Sequence, residues 1–381
     1  MHVLGLMSGT SADGVDAVLV DFKGRLHKPS WKILNYCSVN YPLELRSKII
    51  DVIQNSKLNN FEWLDLAESI TKINYEAALK CDPYSKADVI GCHGQTVFHR
   101  PPSNNKLGAS LQLIRAPLLA EMINKPVIYD FRAADMVLGG QGAPLVPLTD
   151  EVLIGRGEGW RGILNLGGIA NLTLLPPLHG PESSCKVLGW DCGPANSLID
   201  LAIQKISKGK LFFDKDSLIA KKGNPNESLI RKWLQEPFFQ LIPPKSTGRE
   251  KFGLSDLKLR LSDMLHLSTN DQISTLTAFT AALVAQDLNN LYSRSFIRPI
   301  ELLVAGGGSR NPFIFEQLIK RCNGIRVSTL DELHIPVLAR EALAFALLAW
   351  WNVHEFKGSS PFVTGATKPT VLGVKVKPAS Y

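Results

Sequence analysis

The chain has 381 residues, a length that predicts two domains, and its 45% hydrophobic and 20% charged residues are typical of a globular protein. The formal net charge of +7 suits an anionic substrate as well as it suits nucleic acid. Because no run of five or more Lys and Arg residues occurs, nucleic acid is not expected as a partner.

The cysteines and the apolar segments indicate the cellular compartment. The six Cys residues form no Cys-x-x-Cys pair, so a zinc site is not expected and reduced thiols are the simplest interpretation. The N-terminus lacks the pattern of a signal peptide, and the longest apolar stretch is too short for a membrane-spanning helix. We therefore expect a cytoplasmic protein without membrane contact.

The first half of the chain alternates predicted strands with predicted helices. Strands are expected in a hairpin at 3–22 and at 31–41, 88–92 and 126–130. Helices are expected at 43–56, 61–81 and 116–124. A long polar segment at 131–147 is rich in glycine, and a loop of this length inside a compact chain is usually functional.

The second half repeats this plan. Another glycine-turn hairpin is expected at 162–175, with strands at 186–191 and 301–305 and helices at 198–206, 273–292 and 341–353. Residues 208–266 predict helices and loops of an insert, either an active-site lid or plain surface. Strands followed by helices, twice over, predict an α/β architecture with two related halves.

Three glycine-rich turns each follow an apolar strand: Gly9 to Asp16, Gly167-Gly168, and Gly306 to Gly308 before a helix. Their backbone N–H groups suit phosphate oxygens, a purine fits a wall without side chains, and the helix N-terminus attracts phosphate. Asp13 or Asp16 can hold Mg²⁺ through water. Tight turns without a ligand explain the first two segments equally well. No Gly-x4-Gly-Lys-Ser/Thr sequence occurs, so the chain has no P-loop.

Asp191 ends the strand at 186–191 and precedes a predicted helix start near Pro194. A carboxylate at this end of a strand points toward the crevice in which α/β proteins bind ligands, where it can act as a general base. Alternatively, the same carboxylate is the N-cap of the helix. The residues alone leave both roles open.

A further candidate site consists of polar residues that follow two strands of the first half: His93, Gln95, Asp130, Arg132, Asp135 and Gln141. Together they suit a sugar that carries hydroxyls and a carboxylate. Arg132 can pair such a carboxylate through two parallel hydrogen bonds. The alternative is a set of ordinary loop salt bridges.

Segments spread over almost the whole chain resemble the actin, hexokinase and Hsp70 superfold and, within it, the anhydro-N-acetylmuramic acid kinase family. They are Gly5-Leu-Met-Ser-Gly-Thr-Ser11, Asp13-Gly-Val-Asp16, Gly91-Cys-His-Gly-Gln-Thr96, Asp130-Phe-Arg132, Gly139-Gly-Gln-Gly-Ala-Pro-Leu145, Asn165-Leu-Gly-Gly-Ile-Ala-Asn171, Asp191-Cys-Gly-Pro-Ala-Asn196 and Gly306-Gly-Gly-Ser-Arg-Asn311. The family usually has Thr where this chain has Cys192, and often a larger apolar residue at Ala12. Both differences should be tolerated.

The resemblance implies α/β architecture with two related ATPase-type domains of the ribonuclease H-like type and a cleft between them. The first comprises residues 1–130 with about 342–381, and the second 131–341 with an insert at about 208–266. The implied cofactors are ATP and Mg²⁺. The residues implied for ATP are Gly9, Thr10, Ser11, Ala12, Asp13, Gly14, Val15, Asp16, Gly167, Gly168, Gly306, Gly307 and Gly308.

The implied reaction is phosphorylation of O6 of 1,6-anhydro-N-acetylmuramic acid by ATP while a water opens the anhydro bridge. The products are N-acetylmuramic acid 6-phosphate and ADP, in peptidoglycan recycling. Asp191 matches the base that activates the water, Glu341 resembles a second carboxylate near it, and Arg132 would pair with the lactate carboxylate of the amino sugar. Alternatives are a conventional sugar kinase or a nucleotide-regulated binding protein of the same superfold. The oligomeric state stays open, a homodimer included.

Overall fold

The computed structural model describes residues 1–9, 11–54, 56–103, 106–248 and 251–379 and divides into two compact units. The first unit comprises Met1–Gly155 and Leu338–Tyr381, and the second comprises Arg156–Val337. The six cysteines are free thiols. Of the helices in the described part of the chain, none has both the length and the apolar character that a bilayer crossing requires.

The strands and helices of the described residues are numbered along the chain. The strands are β1 His2–Ser8, β2 Gly14–Arg25, β3 Lys28–Asn40, β4 Val89–Arg100, β5 Ala109–Leu113, β6 Val127–Tyr129, β7 Arg161–Leu166, β8 Ile169–Leu175, β9 Leu188–Pro194, β10 Glu301–Ala305, β11 Arg326–Thr329 and β12 Val374–Val376. The helices are α1 Leu43–Ile53, α2 Asn60–Cys81, α3 Ala116–Ile123, α4 Ala133–Val137, α5 Pro147–Leu153, α6 Asn196–Ile206, α7 Glu227–Leu234, α8 Leu254–Asp263, α9 Thr269–Ser295, α10 Pro312–Arg321, α11 Arg340–Val353 and α12 Pro361–Thr364.

The two units contain sheets with the same strand order. In the first, β1, β2 and β3 form an antiparallel meander, and β4 and β6 continue the sheet parallel to β1. In the second, β7, β8 and β9 form the meander, and β10 and β11 continue it parallel to β7. Strands β5 and β12 are additions to the first sheet. The predicted α/β fold class with two related halves is therefore confirmed.

Several predicted boundaries are wrong. Strand β4 continues well past residue 92 because its second half pairs with β5, a strand that was not predicted. Strands β11 and β12 were also missed, since three or four residues are too few for a periodic pattern. Helix α6 begins at Asn196, so Pro194 ends β9 and does not start the helix.

Helix α11 lies directly on the first sheet. A Cβ atom at Gly5 of β1 would meet the carbonyl oxygen of Ala342 at 2.0 Å, and one at Gly91 of β4 would meet that of Phe345 at 2.4 Å. Only glycine leaves room for this approach. Two glycines of the family-like segments therefore serve helix packing.

The first unit extends beyond the predicted domain boundaries, since residues 131–155 and 338–341 also belong to it. Two buried side-chain contacts hold these residues. The Asp150 carboxylate of α5 accepts two hydrogen bonds from Arg340 of α11, and Asp135 of α4 accepts one from the Thr364 hydroxyl at 2.7 Å. These partners are 190 and 229 positions apart in sequence, so no local pattern marks them.

Arg340→Met should lower the free energy of unfolding by about 3–5 kcal/mol, because it leaves the buried Asp150 carboxylate without its guanidinium partner. Urea unfolding followed by circular dichroism measures this change. As a matched control, Lys72→Met removes an exposed partner of Glu68 and should have a far smaller effect. Equal losses in the two variants would contradict a stabilising role for the buried pair.

Candidate functional site

The turn between β1 and β2 is held by neighbouring strands of the first unit. Gln95 of β4 is fully buried and donates from Nε2 to the Gly9 carbonyl at 3.1 Å. Tyr41 donates its backbone N–H to the Asp13 carbonyl at 3.0 Å. Ala12 is buried with a left-handed φ of 52°. Gln95, predicted to bind the sugar, thus lies against the predicted phosphate turn.

The other residues predicted for ATP in this turn have mixed surroundings. Ser11 is partly exposed, whereas Val15 is buried in β2. A Cβ at Gly14 would meet the Val39 carbonyl oxygen at 2.2 Å, so this glycine is required for strand packing. Thr10 lies outside the described residues.

Asp16 is a partly buried carboxylate at the start of β2. It accepts a hydrogen bond from the Ser38 hydroxyl of β3. Burial raises the pKa of Asp16 to about 6; the Ser38 hydrogen bond opposes this shift, and the charges of Glu341 and Asp13 add to it. Glu341, in the first turn of α11, therefore lies near Asp16 in the first unit. Asp13 itself is 60% exposed and pairs with Arg46 at 2.5 Å.

The residues predicted to hold Mg²⁺ are Asp13 and Asp16. Among the described residues, no three His, Cys, Asp or Glu side chains cluster as metal ligands. Mg²⁺ needs only one or two protein carboxylates when phosphate oxygens and water supply the rest. Asp16 meets this requirement better than Asp13, whose carboxylate is already paired with Arg46.

His93 and Arg132 form a hydrogen-bonded pair in the first unit. An Arg132 amino group lies 2.8 Å from His93 Nε2, and the His93 Nδ1 atom lies 2.8 Å from the Gly94 carbonyl oxygen. Because arginine only donates, Nε2 is the acceptor and Nδ1 carries the hydrogen. Burial, with the Arg132 charge, lowers the pKa of His93 to about 3, so the imidazole is neutral. A second Arg132 amino group donates to the Gly142 carbonyl at 2.6 Å.

The glycine-rich segment that contains Gly142 is held by Asp135. This carboxylate is fully buried and accepts the Gly142 backbone N–H at 2.9 Å. The Gln141 backbone N–H donates to the Thr364 carbonyl at 2.8 Å. Asp130 follows β6 with a left-handed φ of 51°, a backbone conformation that is costly for a non-glycine residue and is often found at functional sites. Of the predicted sugar-binding residues, the structure thus joins His93, Arg132 and Asp135 through Gly142.

In the second unit, the Gly167-Gly168 turn lies against the start of α6. The Gly167 carbonyl accepts the Asn196 backbone N–H at 3.0 Å, and the Gly168 carbonyl accepts that of Ser197 at 3.1 Å. Gly306, with φ of 78°, lies beside this turn, since a Cβ there would meet the Asn165 side-chain oxygen at 2.6 Å. The second and third glycine turns are therefore neighbours.

The N-terminus of α10, predicted to attract phosphate, has protein acceptors for two of its backbone N–H groups. That of Phe313 donates to the Ser217 hydroxyl at 3.1 Å, and that of Ile314 donates to the Asn311 side chain at 2.9 Å. These two groups are therefore satisfied without a ligand. The glycines before the helix are the better candidates.

Three of the predicted ATP-binding glycines have room for a Cβ atom among the described residues. The nearest atom to a Cβ built at Gly9 or Gly167 is 3.8 Å away, and at Gly307 it is 4.0 Å away. A Cβ at Gly308 would instead meet the Leu166 side chain at 2.6 Å. Gly9, Gly167 and Gly307 thus leave backbone accessible to a ligand, whereas Gly308 is needed for packing.

Asp191 lies inside β9, 5% exposed, opposite Asn171 of β8. Its backbone N–H donates to the Lys245 carbonyl at 3.0 Å, and its carboxylate accepts the Thr247 backbone N–H at 2.9 Å. The N-cap of α6 is Ala195, so the alternative role of Asp191 as the N-cap is wrong.

Sequence reasoning missed the surroundings of Asp191. The Asn171 Oδ1 and Thr247 Oγ1 atoms are buried and have no hydrogen-bond partner among the described residues. Buried polar atoms of this kind usually face a ligand or water. The β8–β9 register was needed to place Asn171, and Thr247 lies in the 208–266 insert, where no local signal marked it.

A family model described as anhydro-N-acetylmuramic acid kinase matches residues 1–378. The chain belongs to the anhydro-N-acetylmuramic acid kinase family. Relatives called anhydro-N-acetylmuramic acid kinase from Prochlorococcus marinus strains MIT 9313 and MIT 9303 are 58% and 59% identical to this chain. Each match covers 100% of this chain and 100% of the relative. One from Synechococcus sp. strain CC9902 is 55% identical over 99% of this chain and 100% of its own.

Membership of the anhydro-N-acetylmuramic acid kinase family shows that the chain is a kinase. The resemblance drawn from the glycine turns and polar segments is thereby confirmed. In this kinase, the candidate carboxylates form two groups. Asp16 and Glu341 lie in the first unit, and Asp191 lies in the second.

Asp16→Asn should stabilise this anhydro-N-acetylmuramic acid kinase family member at pH 8 by up to about 3 kcal/mol. Burial raises the pKa of Asp16 from 3.8 to about 6 in the folded protein, so the folded state binds the proton more tightly. Stability from this group therefore falls as pH rises from about 4 to 6, and the ionised carboxylate is unfavourable above that range. Urea unfolding at pH 4 and pH 8 measures the difference.

Asp65→Asn, at an exposed position of α2 that is not among the causes of the Asp16 shift, is the control and should change the free energy of unfolding by far less. The assignment of a costly buried charge to Asp16 fails if Asp16→Asn is no more stable than the parent protein at pH 8.

Proposed function

We propose that this kinase transfers the γ-phosphoryl group of ATP to O6 of 1,6-anhydro-N-acetylmuramic acid while water opens the 1,6-anhydro bridge. The products are N-acetylmuramic acid 6-phosphate and ADP. The observation that carries the proposal is Asp191, a buried carboxylate beside two buried polar atoms that have no partner among the described residues. Those atoms belong to Asn171 and Thr247.

Asp191 is the proposed base because the substrate has no proton to give at the accepting oxygen. In a conventional sugar kinase, a base takes a proton from the attacking hydroxyl. Here O6 is an ether oxygen, so Asp191 accepts a proton from water as the water oxygen bonds to C1. The C1–O6 bond then breaks, and O6 bonds to the γ-phosphorus as the bond to the β-phosphate oxygen breaks. The Thr247 N–H holds the carboxylate in place during the transfer.

The phosphates are assigned to the open glycine positions. Gly9 in the first unit and Gly167 and Gly307 in the second leave backbone uncovered where a side chain would otherwise stand. Asp16, with Glu341 nearby, would hold Mg²⁺, and Asp13 is the weaker candidate because of its pair with Arg46. When bound, Mg²⁺ neutralises charge on the phosphoryl oxygens. Glu341 stays a prediction as the second carboxylate near the water.

The sugar is assigned to the polar residues around Arg132. Its guanidinium is oriented by the neutral His93 imidazole and the Gly142 carbonyl, which suits recognition of the lactate carboxylate. The Asp135 carboxylate accepts the Gly142 backbone N–H and so holds the glycine-rich segment beside Arg132. Asp130, which follows β6, and Gln141, next to Gly142, stay predicted sugar ligands, as does Gln95 beside the Gly9 turn. The cytoplasmic location, the role in peptidoglycan recycling and the homodimer also stay predictions.

A substrate comparison tests the proposed reaction. The purified protein is incubated with ATP and Mg²⁺ and with either the anhydro sugar or open-chain N-acetylmuramic acid, and the products are identified by mass spectrometry. Conversion of the anhydro sugar to the ring-opened 6-phosphate is expected. Phosphorylation of the open sugar alone would replace the proposal with a conventional sugar kinase, and ATP turnover unaffected by either sugar would favour a nucleotide-regulated binding protein.

Asp191→Asn should fold and bind ATP but lose turnover by at least about 100-fold, because an amide cannot accept the water proton. Steady-state kinetics, with ATP affinity from calorimetry, measure both properties. Ser262→Ala, at an exposed position of α8, serves as the control with unchanged rate. Near-parental turnover of Asp191→Asn would remove this residue from the mechanism.

Gly307→Ala should leave the fold intact but weaken ATP binding by roughly 10-fold, because the new methyl group occupies the space proposed for the nucleotide. Gly308→Ala, one position along, should instead lower the melting temperature, since its methyl group meets Leu166. Calorimetric titration with ATP and thermal denaturation distinguish the two effects. Unchanged ATP affinity in Gly307→Ala would exclude this position from the nucleotide site.

A further inference from the structure

The residues on either side of Asp191 share one buried partner. Successive side chains of a strand point to opposite faces of the sheet, so Trp190 and Cys192 project away from the face that carries Asp191. Trp190 Nε1 donates to Asp287 Oδ2 of α9 at 2.8 Å. The Cys192 thiol lies close to the same carboxylate, and burial raises the pKa of this thiol, which keeps it protonated.

A second donor to Asp287 comes from the segment that contacts Asp191. Lys245 Nζ lies 2.9 Å from Asp287 Oδ1, and the two side chains are 2% and 6% exposed. The Lys245 carbonyl accepts the Asp191 backbone N–H, and two residues later the Thr247 N–H binds the Asp191 carboxylate. Asp287 is therefore joined to both sides of Asp191, through β9 and through residues 245–247.

We infer that Asp287 is a positioning residue for this kinase, which orients the Asp191 carboxylate by fixing β9 and the Lys245–Thr247 segment to α9. The inference rests on the proposed function, in which Asp191 is the base. A misplacement of about 1 Å in a reacting group can reduce a rate about 100-fold, so an anchor of this kind controls turnover without touching the substrate.

The arrangement differs from an ion pair that only stabilises the fold. Another buried cation of the second unit, Arg260 of α8, pairs with Asp256 at 3.0 Å and with Glu236 at 3.0 Å. Among the contacts of the described residues, neither of these carboxylates is bonded to β9 or to the segment that contacts Asp191. The Asp287 carboxylate, by contrast, accepts hydrogen bonds from Trp190 and Lys245, and both donors lie in chain segments that border Asp191.

The test uses the paired variant Lys245→Met/Asp287→Asn in the full chain. Both charges of this buried ion pair are removed together, so neither is left unpaired. The side-chain oxygen of the new Asn can still accept the hydrogen bond from Trp190. We expect kcat to fall at least about 10-fold, while KM for ATP and for the anhydro sugar changes less than about threefold. Asp256→Asn is the matched control, since it removes a carboxylate from the other buried network and should lower the melting temperature without changing kcat.

Combination with Asp191→Asn separates a positioning role from a structural one. If Asp287 acts through Asp191, adding the paired substitutions to Asp191→Asn should leave the residual rate unchanged within about twofold. Parental kcat in the paired variant, or a further loss that adds to that of Asp191→Asn, would overturn the inference. An active Asp191→Asn protein would instead refute the base assignment of the proposed function, which is therefore tested separately.

Cys192 provides a second test if the paired variant fails to fold. Cys192→Thr, the residue usual in the family, keeps a donor for Asp287 and should retain parental kcat. Cys192→Val has a similar volume but no donor, and it should lower kcat with unchanged KM. Equal kcat in the two variants would contradict the positioning role.

Discussion

The parallel pairing of the first strand of each sheet with a later strand decides where the polar turns of this kinase lie. Gly5 of β1 pairs with Gly91 of β4, which brings the Gly9 turn beside Gln95. Asn165 of β7 pairs with Ala305 of β10, which brings the second glycine turn beside the third. Because the carboxyl ends of parallel strands meet at one sheet edge, distant segments become neighbours there.

Several charged side chains are buried in the two units, and they differ in how well their partners compensate the cost of burial. Arg340 and Asp150 form two hydrogen bonds to each other, and Asp287 accepts hydrogen bonds from Lys245 and Trp190. The Asp16 carboxylate accepts a hydrogen bond from Ser38, but burial and nearby carboxylates still raise its pKa to about 6. The ionised form of this proposed Mg²⁺ ligand therefore destabilises the fold when the cation is absent, as expected where a functional site is kept at some cost in stability.

The sequence predicted the elements that have long or regular patterns. Both hairpins, the long helices and the three glycine turns were recognised because apolar periodicity and turn residues are local properties. The sequence alone could not show which glycines are needed for packing and which leave room for a ligand. Gly5 and Gly9 lie in one segment, yet α11 packs directly on Gly5, whereas Gly9 has room for a Cβ atom. This difference depends on a helix more than 300 positions away in sequence.

The sequence by itself determined the α/β class, the family and the residue types available for phosphate and sugar chemistry. Only the tertiary structure decided that Asp191 is a strand carboxylate bonded to Thr247 and not the cap of α6. It also decided that Asp287 and Lys245 are partners. The physical reason is that periodicity and turn preference act over a few residues, whereas burial and hydrogen bonding of a charge depend on side chains brought together from distant parts of the chain.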